Sequence, residues 1–317
     1  MTVRGRALER RRSAAGLGAH PERRALAQKR RVALRRSAAG ARGSAVVLPP
    51  VVNMFERADS SSPVVSQATL GAGVRLLASS RGYDLAETAD RYRGWIRSAA
   101  LRRLNPGRAT YPRPERARRV RSFMCQIYSE RDVTTRAPIA AAPLLSLLEV
   151  LEEHGEWKRV RLPDGRRGWA QGGDLEPAHP QTQSGGASLV DGAGVAAAAL
   201  RFLGLPYVWG GTTPFGLDCP GLTQLVYRLQ GYLLPRDADL QYADPNLDAV
   251  ERADLLAGDL VFFGPDDTSI THVGVSLNRD EFVSATTFRS PTVHVDRLDE
   301  PYWRKLYRGA RRIARGA

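Results

Sequence analysis

Cysteine is scarce in this chain, and long hydrophobic runs are absent from it. The 317 residues contain two cysteines, Cys125 and Cys219, in separate segments, which argues against a disulfide framework. Neither cysteine has a CxxC or Cys/His neighbourhood with metal-ligand spacing, and the HExxH motif is absent. No run approaches the roughly 18 apolar residues of a spanning helix. We therefore expect no metal, no cofactor and no membrane span.

Positive charge is abundant but confined to one segment. The formal net charge is +14, and residues 1–44 hold 13 Lys and Arg against two acids, a net of +11. This arm has no aromatic residue, and its Arg, Ala and Gly composition cannot bury a core. We favour a non-functional tail, or sequence upstream of a misplaced start, over an arm that targets an anionic surface. The arm also lacks the apolar segment of a secretory signal, so as written the chain is expected in the cytoplasm, or secreted if the start is misplaced.

Two segments of short apolar alternations separated by turns follow the arm. Arg93–Trp95 and Arg167–Trp169 repeat the sequence Arg-Gly-Trp 74 residues apart, each near the end of its segment. Several strands within about 60 residues predict a small barrel in each segment. A Pro-rich linker separates the two β modules, and a linker with Gln, Ser and Gly separates the second module from the third domain. The predicted bounds are 1–44 for the arm, 45–104 and 119–176 for the two β modules, and 188–317 for a third domain.

The third domain contains a cysteine at the start of a predicted helix. Cys219 follows a Gly/Pro-rich loop and precedes an apolar stripe at helical spacing, formed by Leu222, Leu225, Val226 and Leu229. Pro220 is favoured at the first helical position. Cys219 is thus predicted at or near the N-cap, where the helix dipole lowers the pKa of a thiol. This favours a nucleophile, whereas Cys125, inside the run FMCQIY, is interpreted as a small buried hydrophobe.

A histidine with a strand pattern follows the cysteine helix. In HVGVSL, Val273 and Val275 take one face of a strand, and His272 takes the other with a glycine and a serine. A cysteine at a helix N-terminus and a histidine on an adjoining strand form the nucleophile–base pair of thiol hydrolases. We therefore interpret Cys219 and His272 as such a pair.

Five motifs in register make a family resemblance visible. PYVWGG, the DC-x-GL around Cys219, LPR, GDLVFF and HVGVSL resemble the NlpC/P60 cysteine peptidases over about residues 190–317. The resemblance implies a papain-like α+β fold and hydrolysis of peptide bonds in bacterial cell-wall stem peptides. The β modules resemble bacterial SH3-like (SH3b) domains. Together they resemble the γ-D-glutamyl-L-diamino-acid endopeptidases, in which the first module helps close the site and selects a free N-terminal L-alanine.

The resemblance also implies roles for individual residues. It implies Cys219 as the nucleophile, His272 as the general base, and Tyr207 as a hydrogen-bonding group near the thiol and the developing oxyanion. The residues implied for substrate binding are Asp218 and Tyr92, which would reach the free amine, and Arg236 and Asp237, which line or hold the cleft.

Two positions depart from the family pattern. Pro220 replaces the usual serine after the nucleophile, which removes a hydroxyl and an N–H from the site. Ser284 stands where a third catalytic residue, commonly histidine, is expected. Serine can accept the imidazole N–H but brings no charge to stabilise an imidazolium. His294 and Asp296, on a common face of a later strand, are the alternatives for this position.

The sequence alone is compatible with three functions. The first is a cysteine endopeptidase acting on peptidoglycan-derived peptides, and the second is a wall-binding or scaffold protein whose catalytic domain has decayed. The third, nucleic-acid binding by the arm, lacks aromatic interleaving or a reading module, so no nucleic-acid partner is expected. We predict the first, acting as a monomer. The diamino acid, diaminopimelate or lysine, and the choice between intact wall and released fragments stay open.

Overall fold

The computed structural model describes residues 43–105, 110–178 and 190–314. The arm predicted over residues 1–44 therefore lies outside the described residues, except for Gly43 and Ser44, which open the first strand. No helix among these described ranges is long and apolar enough to span a membrane.

The first β module is a single antiparallel sheet that closes on its own apolar core. Alternating side chains such as Met54, Leu76 and Ile96 point inward and are fully buried. The order of the strands is β3-β2-β6-β5-β4-β1-β7. Their bounds are β1 Gly43–Val47, β2 Val51–Phe55, β3 Val64–Thr69, β4 Gly73–Ser80, β5 Tyr83–Glu87, β6 Arg93–Arg97 and β7 Leu101–Leu104.

The second β module repeats this arrangement strand for strand. Its order, β10-β9-β13-β12-β11-β8-β14, is the first order with seven added to each number. Its first strand begins two residues before the predicted bound at 119. The bounds are β8 Ala117–Val120, β9 Met124–Tyr128, β10 Ala140–Pro143, β11 Leu147–His154, β12 Trp157–Arg161, β13 Arg167–Gln171 and β14 Leu175–Pro177.

The repeated Arg-Gly-Trp sequences occupy equivalent strands, β6 and β13. In both strands the glycine is needed because a side chain would collide with a neighbouring strand. A Cβ on Gly94 would lie 2.8 Å from the Met54 Cβ, and one on Gly168 would lie 2.6 Å from the Ile127 Cγ2. Both contacts are far inside van der Waals distance. The glycine therefore allows the neighbouring strand to pack closely at this point of each module.

The third domain combines a six-stranded antiparallel sheet with four short helices. The sheet has the order β17-β22-β18-β19-β20-β21, and a two-stranded hairpin, β15-β16, lies apart from it. The strands are β15 Thr212–Thr213, β16 Gly216–Leu217, β17 Leu247–Val250, β18 Leu260–Phe263, β19 His272–Ser276, β20 Glu281–Thr286, β21 Thr292–Arg297 and β22 Tyr307–Ile313. The helices are α1 Gly192–Leu200, α2 Cys219–Leu229, α3 Ala238–Tyr242 and α4 Pro301–Leu306.

Each face of this sheet has its own apolar core. Helices α1 and α2 pack on one face, where Val273 and Val275 join a cluster that includes Cys219. Helix α4 covers the other face, where Trp303 is buried against Phe263. Helix α1 begins at Gly192 because the Asp191 side chain caps its first turn by accepting from the Ala193 N–H.

The three units are joined by side chains that enter a neighbour's core. Leu70, which follows β3, belongs to the core of the second module, and its carbonyl accepts from the Leu147 N–H. Leu144 and Leu145 of the second module belong to the core of the third domain. These contacts make the units a continuous packed body.

Candidate active site

Helix α2 presents Cys219 at its first position. The N-cap is Asp218, whose Oδ1 accepts from the Gly221 N–H at 2.8 Å, and Pro220 occupies the second helical position. The sequence pattern predicts the cysteine at or near the N-cap and the proline at the first helical position, so the helix begins one residue earlier than the proline indicates. The thiol therefore lies at the N-terminus of α2, where the helix dipole favours a negative charge.

Strand β19 presents His272 at its first residue, next to Ser284 on β20. The His272 Nε2 lies 3.0 Å from the Ser284 Oγ, and both side chains are buried. The alternation predicted for HVGVSL is observed, since Val273 packs in the core on the α2 side and His272 stacks on Trp303 on the other side. Helix α2 packs against β19, which brings the cysteine and the histidine onto neighbouring elements.

The two alternatives for the third position lie one strand further out. His294 on β21 is paired in register with Ser284, and its Nε2 lies 3.2 Å from the Asp296 Oδ2. That pair lacks the alignment of a hydrogen bond. β20 separates β21 from the strand of His272. The structure thus places Ser284 against the imidazole Nε2.

Arg236 holds the cysteine turn against the first β module. This fully buried guanidinium donates to the Asp218 Oδ2 at 2.8 Å and to the Ser66 Oγ at 3.0 Å. Burial alone would lower the pKa of Arg236, but the Asp218 carboxylate outweighs it and raises the pKa. Asp218 Oδ2 also accepts from the Gly210 N–H, so three donors engage its two oxygens.

Tyr92 of the first module reaches the third domain at Asp237. The Tyr92 hydroxyl lies 3.2 Å from each carboxylate oxygen of Asp237, and both side chains are buried. Asp237 is the N-cap residue of α3, yet its side chain makes no capping bond. The carboxylate is thus turned away from its own helix and towards the first module.

Tyr207 lies at the entrance to the cysteine helix. Its N–H donates to the Pro291 carbonyl at 2.8 Å, and it forms an isolated bridge to Leu217, two residues before Cys219. Its half-buried ring packs against the same core cluster as Cys219. The structure therefore places Tyr207 and Cys219 in one region of the third domain.

Sequence reasoning missed a set of contacts between the first module and the cysteine loop. The Trp209 indole donates to the Val64 carbonyl at 2.9 Å, and the Thr212 N–H donates to the Gln67 Oε1 at 3.1 Å. A Cβ on Gly210 would lie 2.7 Å from the Val64 Cγ1, and the φ of Gly210 is +79°. The Gly-Gly of PYVWGG was the available signal, because it marks a backbone approached too closely for a side chain.

The described part of the chain contains no group of side chains that could hold a metal ion. No three His, Cys, Asp or Glu side chains of residues 43–105, 110–178 and 190–314 are grouped closely enough to hold an ion. Cys125, the other cysteine, is fully buried in β9, and burial together with Asp174 raises its pKa. Both effects disfavour the thiolate, which is the reactive form of cysteine.

A family model and several curated relatives match the third domain. A family model described as the NlpC/P60 family matches residues 204–312. The γ-D-glutamyl-L-lysine dipeptidyl-peptidase of Bacillus cereus is 32% identical over 167 residues, which are 52% of this chain and 48% of the relative. The murein DD-endopeptidase MepS/murein LD-carboxypeptidase of Escherichia coli K12 is 40% identical over 111 residues, 35% of this chain and 56% of the relative. The chain spans about half the length of these relatives.

A solved structure extends the likeness beyond the matched domain. The crystal structure of an NlpC/P60 family protein from Bacillus cereus has a TM-score of 0.71, with 21% sequence identity over 86% of this chain and 99% of that chain. At this identity the likeness shows the fold alone. The predicted resemblance to NlpC/P60 is confirmed for residues 204–312, and with it the prediction of an enzyme family, since these relatives are named as peptidases.

Proposed function

We propose that this chain, whose residues 204–312 match the NlpC/P60 family, is a cysteine peptidase that cleaves the γ-D-glutamyl–diamino-acid bond of peptides released from the bacterial wall. The proposed reaction type rests on the packing of one helix against one strand. Cys219 opens helix α2, and His272 opens the strand on which that helix packs, with its Nε2 held by Ser284.

Ser284 determines which imidazole nitrogen serves the thiol. A serine hydroxyl can accept from the Nε2–H, which fixes the tautomer with Nδ1 as the basic nitrogen. Nδ1 of His272 then takes the proton of the Cys219 thiol. The resulting thiolate lies at the N-terminus of α2, where the helix dipole stabilises it.

Hydrolysis then proceeds through an acyl-enzyme in two stages. The thiolate of Cys219 adds to the carbonyl carbon, and the backbone N–H of the same residue donates to the oxyanion, with Tyr207 beside it. The His272 imidazolium returns its proton to the departing amine, and the C–N bond breaks. Water, deprotonated by the same imidazole, releases the acid from the thioester and restores the thiol.

Tyr92 and Asp237 form the binding site for the free amine in this proposal. The carboxylate of Asp218 already engages three donors as the helix cap and as the partner of Arg236, so its role is to hold the cysteine turn. Asp237 instead faces the Tyr92 hydroxyl of the first module. A buried ammonium needs partners, and a carboxylate with a phenol oxygen supplies a charge and an acceptor.

The first β module, as an SH3b-like domain, provides a wall that excludes stem peptides still attached to glycan. Its strand β3 contacts the cysteine loop through Val64 and Gln67, and Ser66 of the same strand accepts from Arg236. A peptide whose first amine is acylated has no ammonium to place beside Asp237. The name of the Bacillus cereus relative, a γ-D-glutamyl-L-lysine dipeptidyl-peptidase, supports this substrate class.

The test compares one peptide with and without its amine. The full chain is incubated with L-Ala-γ-D-Glu-diaminopimelate and with its N-acetyl derivative, and products are identified by mass. We expect cleavage after D-Glu, with a preference for the free amine. Equal kcat/KM for both peptides would show a general wall endopeptidase, and no cleavage of either would favour the wall-binding scaffold.

The contribution of the first module is measured with Tyr92→Phe. We expect the kcat/KM ratio of free to acetylated peptide to fall by about 5- to 150-fold, corresponding to the 1–3 kcal/mol of an unsatisfied buried partner. Tyr83→Phe, a buried tyrosine of the same module packed on Phe55, is the matched control and should leave the ratio unchanged. A Tyr92→Phe enzyme with wild-type selectivity would contradict the amine site.

A further inference from the structure

A tight turn of the first module carries Tyr92 to the amine site proposed above. The turn covers residues 88–92 and joins β5 to β6, and the Thr88 N–H closes it by donating to the Tyr92 carbonyl at 2.9 Å. Arg91 has a φ of +62°, in the left-handed region that residues with a side chain rarely adopt. The position of the Tyr92 hydroxyl therefore depends on what holds this turn.

Asp90 closes the turn with one oxygen of its carboxylate. Its Oδ1 accepts from the Thr88 hydroxyl and from the Tyr92 N–H, the latter at 3.4 Å. A bond from an aspartate side chain to the N–H two residues further on is a common way to stabilise a turn. The role of this oxygen is local to the turn.

The other oxygen of Asp90 reaches the helix that begins with Cys219. The Asp90 Oδ2 accepts from the Gln224 Nε2 at 2.8 Å, and Gln224 is 4% exposed. The same amide nitrogen donates to the Leu234 carbonyl at 2.9 Å, which fixes the direction of the amide. Arg228 lies one turn further along the same face of α2, where burial lowers its pKa and the Asp90 carboxylate opposes this. A single carboxylate thus ties the Tyr92 turn to α2.

The second module contains the same turn and separates the two roles. Asp164 is the equivalent of Asp90, 74 residues later, and its Oδ1 accepts from the Arg166 N–H at 2.9 Å. Its Oδ2 accepts from the Arg166 Nε at 2.7 Å, within the turn. Closing the turn therefore does not require a bond to another domain. In the first module, the second oxygen instead bonds to Gln224.

We propose that Asp90 and Gln224 are positioning residues that set the free-amine selectivity of the peptidase by fixing the place of Tyr92. The Tyr92 hydroxyl lies 3.2 Å from each carboxylate oxygen of Asp237, and a shift of the turn would change both distances. The Asp90–Gln224 bond holds the turn against α2, which carries the proposed nucleophile. The amine site and the reacting bond are thus kept at a fixed separation. The inference rests on the proposed function, because the amine site belongs to that proposal.

The decisive variant is Asp90→Asn, which keeps the turn and breaks the bond to α2. The asparagine oxygen can still accept from the Tyr92 N–H, whereas its amide would face the Gln224 amide, donor against donor. A flip of the Gln224 amide would relieve this only by losing the bond to Leu234. We expect the kcat/KM ratio of free to acetylated peptide to fall by about 3- to 10-fold, as for the loss of one hydrogen bond. Gln224→Met should lower the ratio similarly, and the double variant should lose little more, since both changes break one contact.

A second readout does not depend on peptide cleavage. The NMR signal of the Tyr92 Cζ, in protein carrying isotope-labelled tyrosine and assigned with Tyr92→Phe, reports the surroundings of the hydroxyl. We expect this signal to shift in Asp90→Asn. Asp164→Asn is the matched control, because it changes the equivalent turn of the second module, and it should leave both the signal and the selectivity ratio unchanged.

The outcomes separate this inference from the proposed activity. A shifted Tyr92 signal with a lower selectivity ratio supports the inference, whereas a general loss of stability would lower kcat/KM for both peptides alike. A wild-type Tyr92 signal in folded Asp90→Asn overturns it, as does an unchanged ratio in the active variant. If the wild type cleaves neither peptide, the proposed function fails, while a shifted signal still supports the placement of Tyr92 by Asp90. If Asp90→Asn does not fold, Gln224→Met decides by the same two measurements.

Discussion

The two cysteines are the same chemical group in opposite surroundings. Cys219 lies at the N-terminus of a helix, where the helix dipole favours its thiolate. Cys125 lies inside a barrel core, where burial and Asp174 raise its pKa. Reactivity at this scale is set by what surrounds one sulfur atom.

Thiol labelling therefore distinguishes the two at neutral pH. We expect iodoacetamide to modify Cys219 in the native protein and to reach Cys125 after unfolding, as peptide mass mapping will show.

The raised pKa of Cys125 also makes the free energy of unfolding depend on pH. Above about 8.5, the thiol pKa in the unfolded chain, the unfolded state loses a proton that the native state keeps. Stability should fall with pH there, and Cys125→Ala should remove part of this dependence. Rapid labelling of Cys125 in the native protein would contradict the expected difference between the two thiols.

Substitution of either proposed catalytic residue should abolish turnover with little effect on folding. Because the thiol and the imidazole act as one unit, Cys219→Ala and His272→Ala should each lower kcat/KM by at least about 10³-fold, and the double variant should lose little more. Steady-state kinetics on the free-amine peptide and thermal unfolding give the two readouts. Near wild-type turnover in either variant would show that the thiol–imidazole assignment is wrong.

At the scale of elements, one glycine in each barrel sets how closely two strands pack. Gly94 faces Met54, and Gly168 faces Ile127 and the Tyr128 carbonyl, at distances that leave no room for a methyl group. The two positions are equivalent in the repeated strand order. The same local constraint thus operates twice in one chain.

Alanine at these positions should destabilise the protein. We expect Gly94→Ala and Gly168→Ala each to cost about 1–3 kcal/mol in free energy of unfolding, as overpacked core substitutions do. Chemical denaturation measures this. Gly173→Ala is the control, since a Cβ there meets nothing within 4 Å, and its effect should be small. Equal stabilities for all three variants would mean that the strands separate freely.

The sequence predicted these elements well where pattern and period are local. The alternation in HVGVSL and the stripe after Cys219 both matched the observed strand and helix. The predicted helix start was wrong by one residue, because the proline occupies the second helical position and Asp218, which bonds to the Gly221 N–H, is the N-cap. The resemblance placed Ser284 at the third position, whereas its contact with His272 is visible only in the structure.

At the scale of the whole molecule, the contacts that complete the site join residues remote in sequence. Tyr92 and Asp237 are 145 residues apart, as are Val64 and Trp209. No periodicity relates such positions, so these pairs could not be read from local patterns. The resemblance alone connected Tyr92 with the peptidase domain.

The basic arm should contribute nothing to this assembly. We expect deletion of residues 1–42, which leaves β1 intact from Gly43, to change neither the melting temperature nor kcat/KM on a soluble peptide. Calorimetry and the peptide assay test this on the otherwise complete chain. A large loss of peptidase activity would contradict it, and a loss confined to binding of anionic polymer would support the targeting hypothesis.

The repeated strand order also allows the two modules to be compared position by position. Tyr92, directly before the first Arg-Gly-Trp, is buried against Asp237, while its counterpart Arg166 is exposed and bonds to Asp164. One position of the shared strand order thus contacts the third domain, and its equivalent lies on the surface. A substitution of Arg166 is therefore expected to leave the contact between the first module and the third domain unchanged.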